Sequence, residues 1–193
     1  NDIEDLKTVI RWSTLNNVTG SLSTAIETAN WDFYQKTLNG AKKQRPLEER
    51  ALSRVNNSIG EAIGQLYVDA KFPPEAKAKA EKMIANVIKA YQKRIETLDW
   101  MSDSTKTKAI DKLDKFTVKI VYPDKCEDYS GLNIKEGNSN FENTMAISDW
   151  SFKKSISEIG EPVDKTEWGM SPQTVNAYFN PLFNEIVFPA AIL

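Results

Sequence analysis

Histidine is missing from all 193 residues, and cysteine occurs once, at Cys126. Without histidine the chain lacks the commonest general base and the commonest zinc ligand, which excludes a histidine-based triad and a zinc site of the usual kind within it. A single cysteine excludes an internal disulfide and a thiolate metal cluster. The acidic stretch from Asp124 to Asp128 lacks the spaced carboxylates and central glycine of a calcium loop. No apolar run approaches the roughly 20 residues that cross a bilayer. Charge of one sign is also lacking: 25 Lys+Arg stand against 27 Asp+Glu, and the net −2 gives no broad pull on nucleic acid or an anionic membrane. Asn1 to Glu4 carry neither an initiator Met nor the basic-then-apolar order of a signal peptide, so the chain reads as processed or as starting inside something longer. By its chemistry alone it is not a complete enzyme of any familiar hydrolytic class.

What is present is an ordinary globular composition, 40% hydrophobic and 27% charged, arranged mainly as helices. Ile3, Leu6, Val9 and Ile10 recur at helical spacing, and a second helical stretch carries Ile26, Trp31, Phe33 and Leu38 before Gly40 closes it. Pro46 is placed to open a third helix running through Leu52, Val55, Ile59, Ile63 and Tyr67. Gly60 and Gly64 sit four apart within it. Glycine costs about 1 kcal/mol in a helix interior, so the pair implies that another backbone packs closely on that face. Pro73-Pro74 ends this helix and starts the next. There Met83, Ile84, Val87, Ile88, Tyr91, Ile95 and Leu98 form one apolar stripe, read as core. Ser102 is an N-cap for a short helix carrying Ala109, Ile110 and Leu113.

At Phe116 the period changes. Val118, Ile120 and Tyr122 alternate with Lys119 and Val121, which predicts a strand stopped by Pro123. A polar loop with Tyr129-Ser130-Gly131 follows, then a helix from Phe141 to Ile159. Thr174 to Phe179, the turn Asn180-Pro181 and Glu185 to Phe188 predict a β-hairpin. The chain then finishes on Pro189-Ala190-Ala191-Ile192-Leu193. An end this apolar reads either as the entrance to a core outside the chain or as a terminal strand tucked into its own domain.

The residues from Val175 to Pro181 (V-N-A-Y-F-N-P), followed by Asn184 to Leu193 (N-E-I-V-F-P-A-A-I-L), closely resemble the neprilysin family of zinc endopeptidases. Earlier stretches agree in the same order: Phe33 to Gly40 with Gln44-Arg45-Pro46, Ile63 to Val68, and Leu98 to Met101 through Lys119 to Asp124. The resemblance covers essentially the whole chain but only about a third of a full-length member. It departs at Leu47-Glu48-Glu49, where relatives often continue with a basic, Trp-containing stretch. Ala51 stands where animal members have a disulfide cysteine, which favours a bacterial relative. The chain also ends before the family's Q-P-P-F-F segment, the H-E-x-x-H helix and the E-x-x-x-D that supplies the third zinc ligand.

The resemblance implies a mainly α fold with a short β portion. Residues 1–116 would belong to a helical capping domain that limits substrate size, 117–172 would connect, and the hairpin at 173–193 would begin a thermolysin-like catalytic domain (α+β, incomplete here). It further implies that Asn176 hydrogen-bonds the substrate backbone and that the Ala177 main chain pairs with the peptide. Tyr178 is expected near the pocket on the amino side of the cut, and Ile192 in the hydrophobic pocket beyond it. An asparagine offers both a donor and an acceptor for this purpose, although read by itself Asn176 is more often a strand-end or turn residue, and it is the family match that reverses this. Zinc is expected in the complete enzyme and none on this chain, which is expected to be inactive alone. The expected partners are peptide substrates and the rest of the catalytic domain, with no nucleic acid and no membrane contact from this segment. Family precedent points to a periplasmic, secreted or surface-anchored protein, with the cytoplasm open. The competing reading is a free-standing helical interaction module without catalysis.

Overall fold

In the computed structural model, which describes residues 2–193, the chain is mainly helical with one small sheet. Among the described residues the α-helices are α1 (Ile3–Val18), α2 (Thr24–Trp31), α3 (Leu47–Lys71), α4 (Pro74–Glu96), α5 (Asp103–Asp114) and α6 (Asn140–Ser157). Their starts follow local chemistry. The Asp2 side chain accepts from the Glu4 N–H at 3.2 Å, and Ser102 Oγ accepts from the Thr105 N–H at 3.3 Å. Pro74 opens α4, where its missing N–H costs nothing. At α6, Ser139 and Glu142 form a reciprocal capping box.

The strands are β1 (Thr117–Val121), β2 (Tyr178–Asn180) and β3 (Glu185–Pro189), in the order β1-β3-β2. β1 runs parallel to β3, with Thr117 opposite Glu185 and Val121 opposite Pro189. β2 runs antiparallel to β3, with Tyr178 opposite Val187 and Asn180 opposite Glu185. The hairpin turn ends at Asn184, which takes a left-handed φ of 51°, a conformation asparagine tolerates. The expected first arm of the hairpin, from Thr174, is shorter than the sequence implies. Thr174 N–H donates to Ser171 C=O and Asn176 N–H to Thr174 C=O, both at 3.0 Å, and these turn bonds hold 171–176 out of the extended form.

The chain divides into two compact units, each discontinuous in sequence. The expected boundary at Phe116 marks the change from helix to strand and lies inside the second of them, Arg54–Glu127 with Val163–Leu193. That unit holds the core. Ala80, Ile120, Val121 and Ala190 are buried together, with Tyr67, Val68, Phe72, Ile84, Val118 and Tyr122 packed around them. The paired glycines do admit a close neighbour, but side chains fill the space where a backbone was expected: a Cβ on Gly64 would lie 2.4 Å from Pro172 Cδ, and one on Gly60 would lie 3.3 Å from the Ser171 side chain. The α4 stripe departs from expectation. Ile84, Ile88, Ile95 and Leu98 are half-buried, whereas Met83, Val87 and Tyr91 are exposed. The stripe is wider than the surface the described chain lays against it, so only one side of it is core.

β1 ends abruptly. Val121 is wholly buried yet has φ +75°, and Tyr122 N–H donates to Ile120 C=O at 3.0 Å across it. A three-residue turn centred on a β-branched residue in the left-handed region is strained by about 1–3 kcal/mol.

The first unit comprises the chain through Ser53 and Asp128–Pro162. Asn30 Nδ2 donates to Asn16 Oδ1 at 2.9 Å, tying α2 to α1, and Arg50 pairs with Glu27. Tyr129 packs on Trp150 with ring centroids 5.2 Å apart. Residues Asp32–Leu38 form a π-helix, wider than the α-helix their spacing predicts. A cleft of about 560 Å³ belongs to the second unit, and one of about 520 Å³, lined by Trp12, Leu15, Ile26 and Phe33 among others, to this one.

Candidate functional site

β2 lies at the edge of the sheet, because among the described residues the strand order gives it β3 on one side and no strand on the other. An edge strand presents unpaired N–H and C=O groups to which an extended chain can add. Asn176 and Ala177 sit immediately before β2 and not within it. Asn176 is exposed, and its Oδ1 accepts from the Ala177 N–H at 2.8 Å, so the side chain is folded over the donor that follows it.

Tyr178 opposes Val187 and therefore shares its face of the sheet. Its hydroxyl accepts from the Gly169 N–H at 2.7 Å, and a Cβ on Gly169 would lie 3.4 Å from that oxygen. The tyrosine thus fastens the 163–170 loop across this face. A second fastening comes from Lys119, whose Nζ lies 2.9 Å from Glu185 Oε2 and donates to Glu167 C=O at 2.9 Å. With side chains 10% and 2% exposed, Lys119 and Glu185 form a buried pair in which each charge depends on the other. Sequence reading missed both residues: Lys119 reads as the solvent side of an alternating strand. The one available signal was Glu185, a carboxylate at the head of an otherwise apolar run.

On the opposite face Phe179 stacks on Phe116 with centroids 5.9 Å apart, and Lys112 Nζ lies 5.8 Å from the Phe179 ring. Ile192 is 44% exposed, on a single 3-10 turn whose Ala191 N–H donates to Pro172 C=O at 3.0 Å. That bond brings the approach to Asn176 and the turn bearing Ile192 together. In the 163–170 loop the Asp164 carboxyl is held below its ordinary pKa by hydrogen bonds from the Thr166 side chain and backbone.

Residues 1–123 match the family model of Peptidase family M13. The chain belongs to peptidase family M13. This M13 chain is 35% identical to Neprilysin-3 of Drosophila melanogaster, over 97% of its own length and 25% of that protein. It is 37% identical to the neutral endopeptidase of Lactococcus lactis, over 83% of its length and 26% of that protein. Among solved structures, the Mycobacterium tuberculosis zinc metalloprotease Zmp1 in its open state superposes with a TM-score of 0.87 at 41% identity, across 99% of this chain and 29% of Zmp1. The M13 chain therefore spans about a quarter of the length of these relatives. The zinc in the name of Zmp1 does not fit the residues present. There is no histidine, and among the described residues no group of three or more Cys, Asp or Glu comes together. No helix of the described residues is long and apolar enough to cross a membrane.

Proposed function

We propose that this chain is the part of an M13 zinc endopeptidase that receives the peptide: β2 and the residues just before it form the edge along which an extended substrate lies. The observation that carries this reading is that β2 has an open side, with Asn176 exposed at its entrance. Backbone pairing gives affinity without demanding a particular substrate sequence, which suits an endopeptidase for oligopeptides. In the free edge the Asn176 side chain occupies the Ala177 N–H. An arriving peptide exchanges with it: the side chain swings onto the peptide backbone, and the Ala177 main chain pairs with the substrate. One hydrogen bond is traded for others, so little desolvation penalty remains uncompensated. Tyr178, held at its hydroxyl, borders the pocket on the amino side of the cut, and Ile192 offers apolar surface on the carboxyl side. The helices before Phe116 cap the chamber and limit substrate size.

A zinc held by residues outside these would supply Lewis-acid chemistry in the complete enzyme, and the chain alone is expected to be inactive. Asn176→Ala in the full-length endopeptidase tests the reading. Losing one or two backbone hydrogen bonds lowers kcat/KM on an extended peptide by about 10- to 100-fold while zinc content stays the same. An unchanged kcat/KM contradicts it.

A further inference from the structure

We infer that Gln173 is the positioning residue of this edge, a role that rests on the peptide-binding reading above. The segment 171–177 belongs to no strand or helix, so something other than a ladder must fix where Asn176 and Ala177 stand. One contact is backbone, Ala191 N–H donating to Pro172 C=O, and a second is the Pro172 ring, which lies against the glycine face of α3. Gln173 supplies the side-chain anchor into that helix. Its Nε2 donates to Asn56 Oδ1 at 2.9 Å and to Gly60 C=O at 3.0 Å. The two acceptors lie on either side of Ile59, where α3 leaves helical geometry (φ −131°, ψ 44°), so the loop takes its position from the kinked stretch.

From Gln173 the constraint runs forward without a gap. The Ser171–Thr174 turn bond, the Thr174–Asn176 bond and the Asn176–Ala177 bond follow one another at 3.0, 3.0 and 2.8 Å. A shift of the Gln173 amide therefore moves the Asn176 side chain and the start of β2. A second observation supports a role beyond stability: Gln173 Oε1 is buried without a hydrogen-bond partner among the described residues. A residue kept only for packing has no reason to bury an unpaired acceptor, whereas one kept for its two aimed donors does.

The test uses the full-length endopeptidase with Gln173→Ala and Asn56→Ala, each removing one side of the anchor. KM for an extended peptide rises about tenfold in each, kcat and zinc content stay constant, and the double variant is no worse than either single one. Asn56→Asp keeps an acceptor in place and retains the wild-type KM. A purely structural role lowers the melting temperature and leaves KM unchanged, and that result overturns the proposal. Hydrogen exchange reads the same positioning without any reaction: amides from Asn176 to Tyr178 exchange about tenfold faster in Gln173→Ala while β1 and β3 are unaffected. Equal exchange at 176–178 also overturns it. If the wild-type enzyme cleaves no peptide, the functional reading fails, and the exchange experiment still decides the role of Gln173.

Discussion

Val121 and Val187 are both completely buried, but only Val121 sits at positive φ. Removing either side chain loses the same transfer energy, whereas Val121→Gly also releases backbone strain. Val121→Gly is therefore expected to destabilise by about 1–3 kcal/mol less than Val187→Gly in urea unfolding; equal losses contradict the strain. Gly64→Ala is expected to go the other way. Its Cβ would meet Pro172 Cδ at 2.4 Å, backed by a ring that cannot rotate aside, so a cost of about 1–3 kcal/mol is expected in the same assay. The glycine pair was legible in the sequence because glycine has a known cost in a helix and needs a reason to be there. Val121 was not: its alternation with Ile120 and Tyr122 reads as plain strand, and a φ angle leaves no mark on composition. Lys119, Glu185 and Gln173 were hidden for a related reason, since each matters through a partner distant in the chain.

At the scale of elements, period and punctuation carried most of the architecture. Ser102 and Pro74 mark helix starts as their chemistry predicts, and the change at Phe116 does introduce a strand. The misjudged lengths lie where local hydrogen bonds outcompete the pattern, as at 171–176, or where backbone geometry departs from the α-helix, as in the π-helix Asp32–Leu38. The capping box of α6 gives a prediction at this scale. Ser139 N–H and Oγ donate to Glu142 Oε2 at 2.7 and 2.8 Å, and these bonds, the backbone one first, lower the Glu142 pKa below its ordinary value of 4.5. A depressed folded pKa contributes stability that is present above the ordinary value and lost as pH falls through the folded one. The first turn of α6 is thus expected to fray in acid beginning below pH 4.5, seen as faster amide exchange at 140–143. Glu142→Gln keeps an acceptor and removes that pH dependence; an identical acid response in the variant argues against the box as its source.

At the scale of the molecule, family membership accounts for what composition left unexplained. A 193-residue chain without histidine lacks the commonest zinc ligand, yet its relatives by sequence and fold are peptidases about four times as long. The stripe of α4 is half-covered, with Met83, Val87 and Tyr91 exposed. The family could be read from short motifs, because N-A-Y-F runs into β2, the strand at the free edge of the sheet, and N-E-I-V-F-P carries β3 beside it. The edge itself could not, since strand order is a property of the folded sheet. The measurement that bears most directly on it is hydrogen exchange in the full-length endopeptidase, with and without a non-cleavable extended peptide. Protection confined to the amides between Ala177 and Asn180 that face away from β3 is the expected result. Binding of the peptide with those amides exchanging at their free rate would contradict the account.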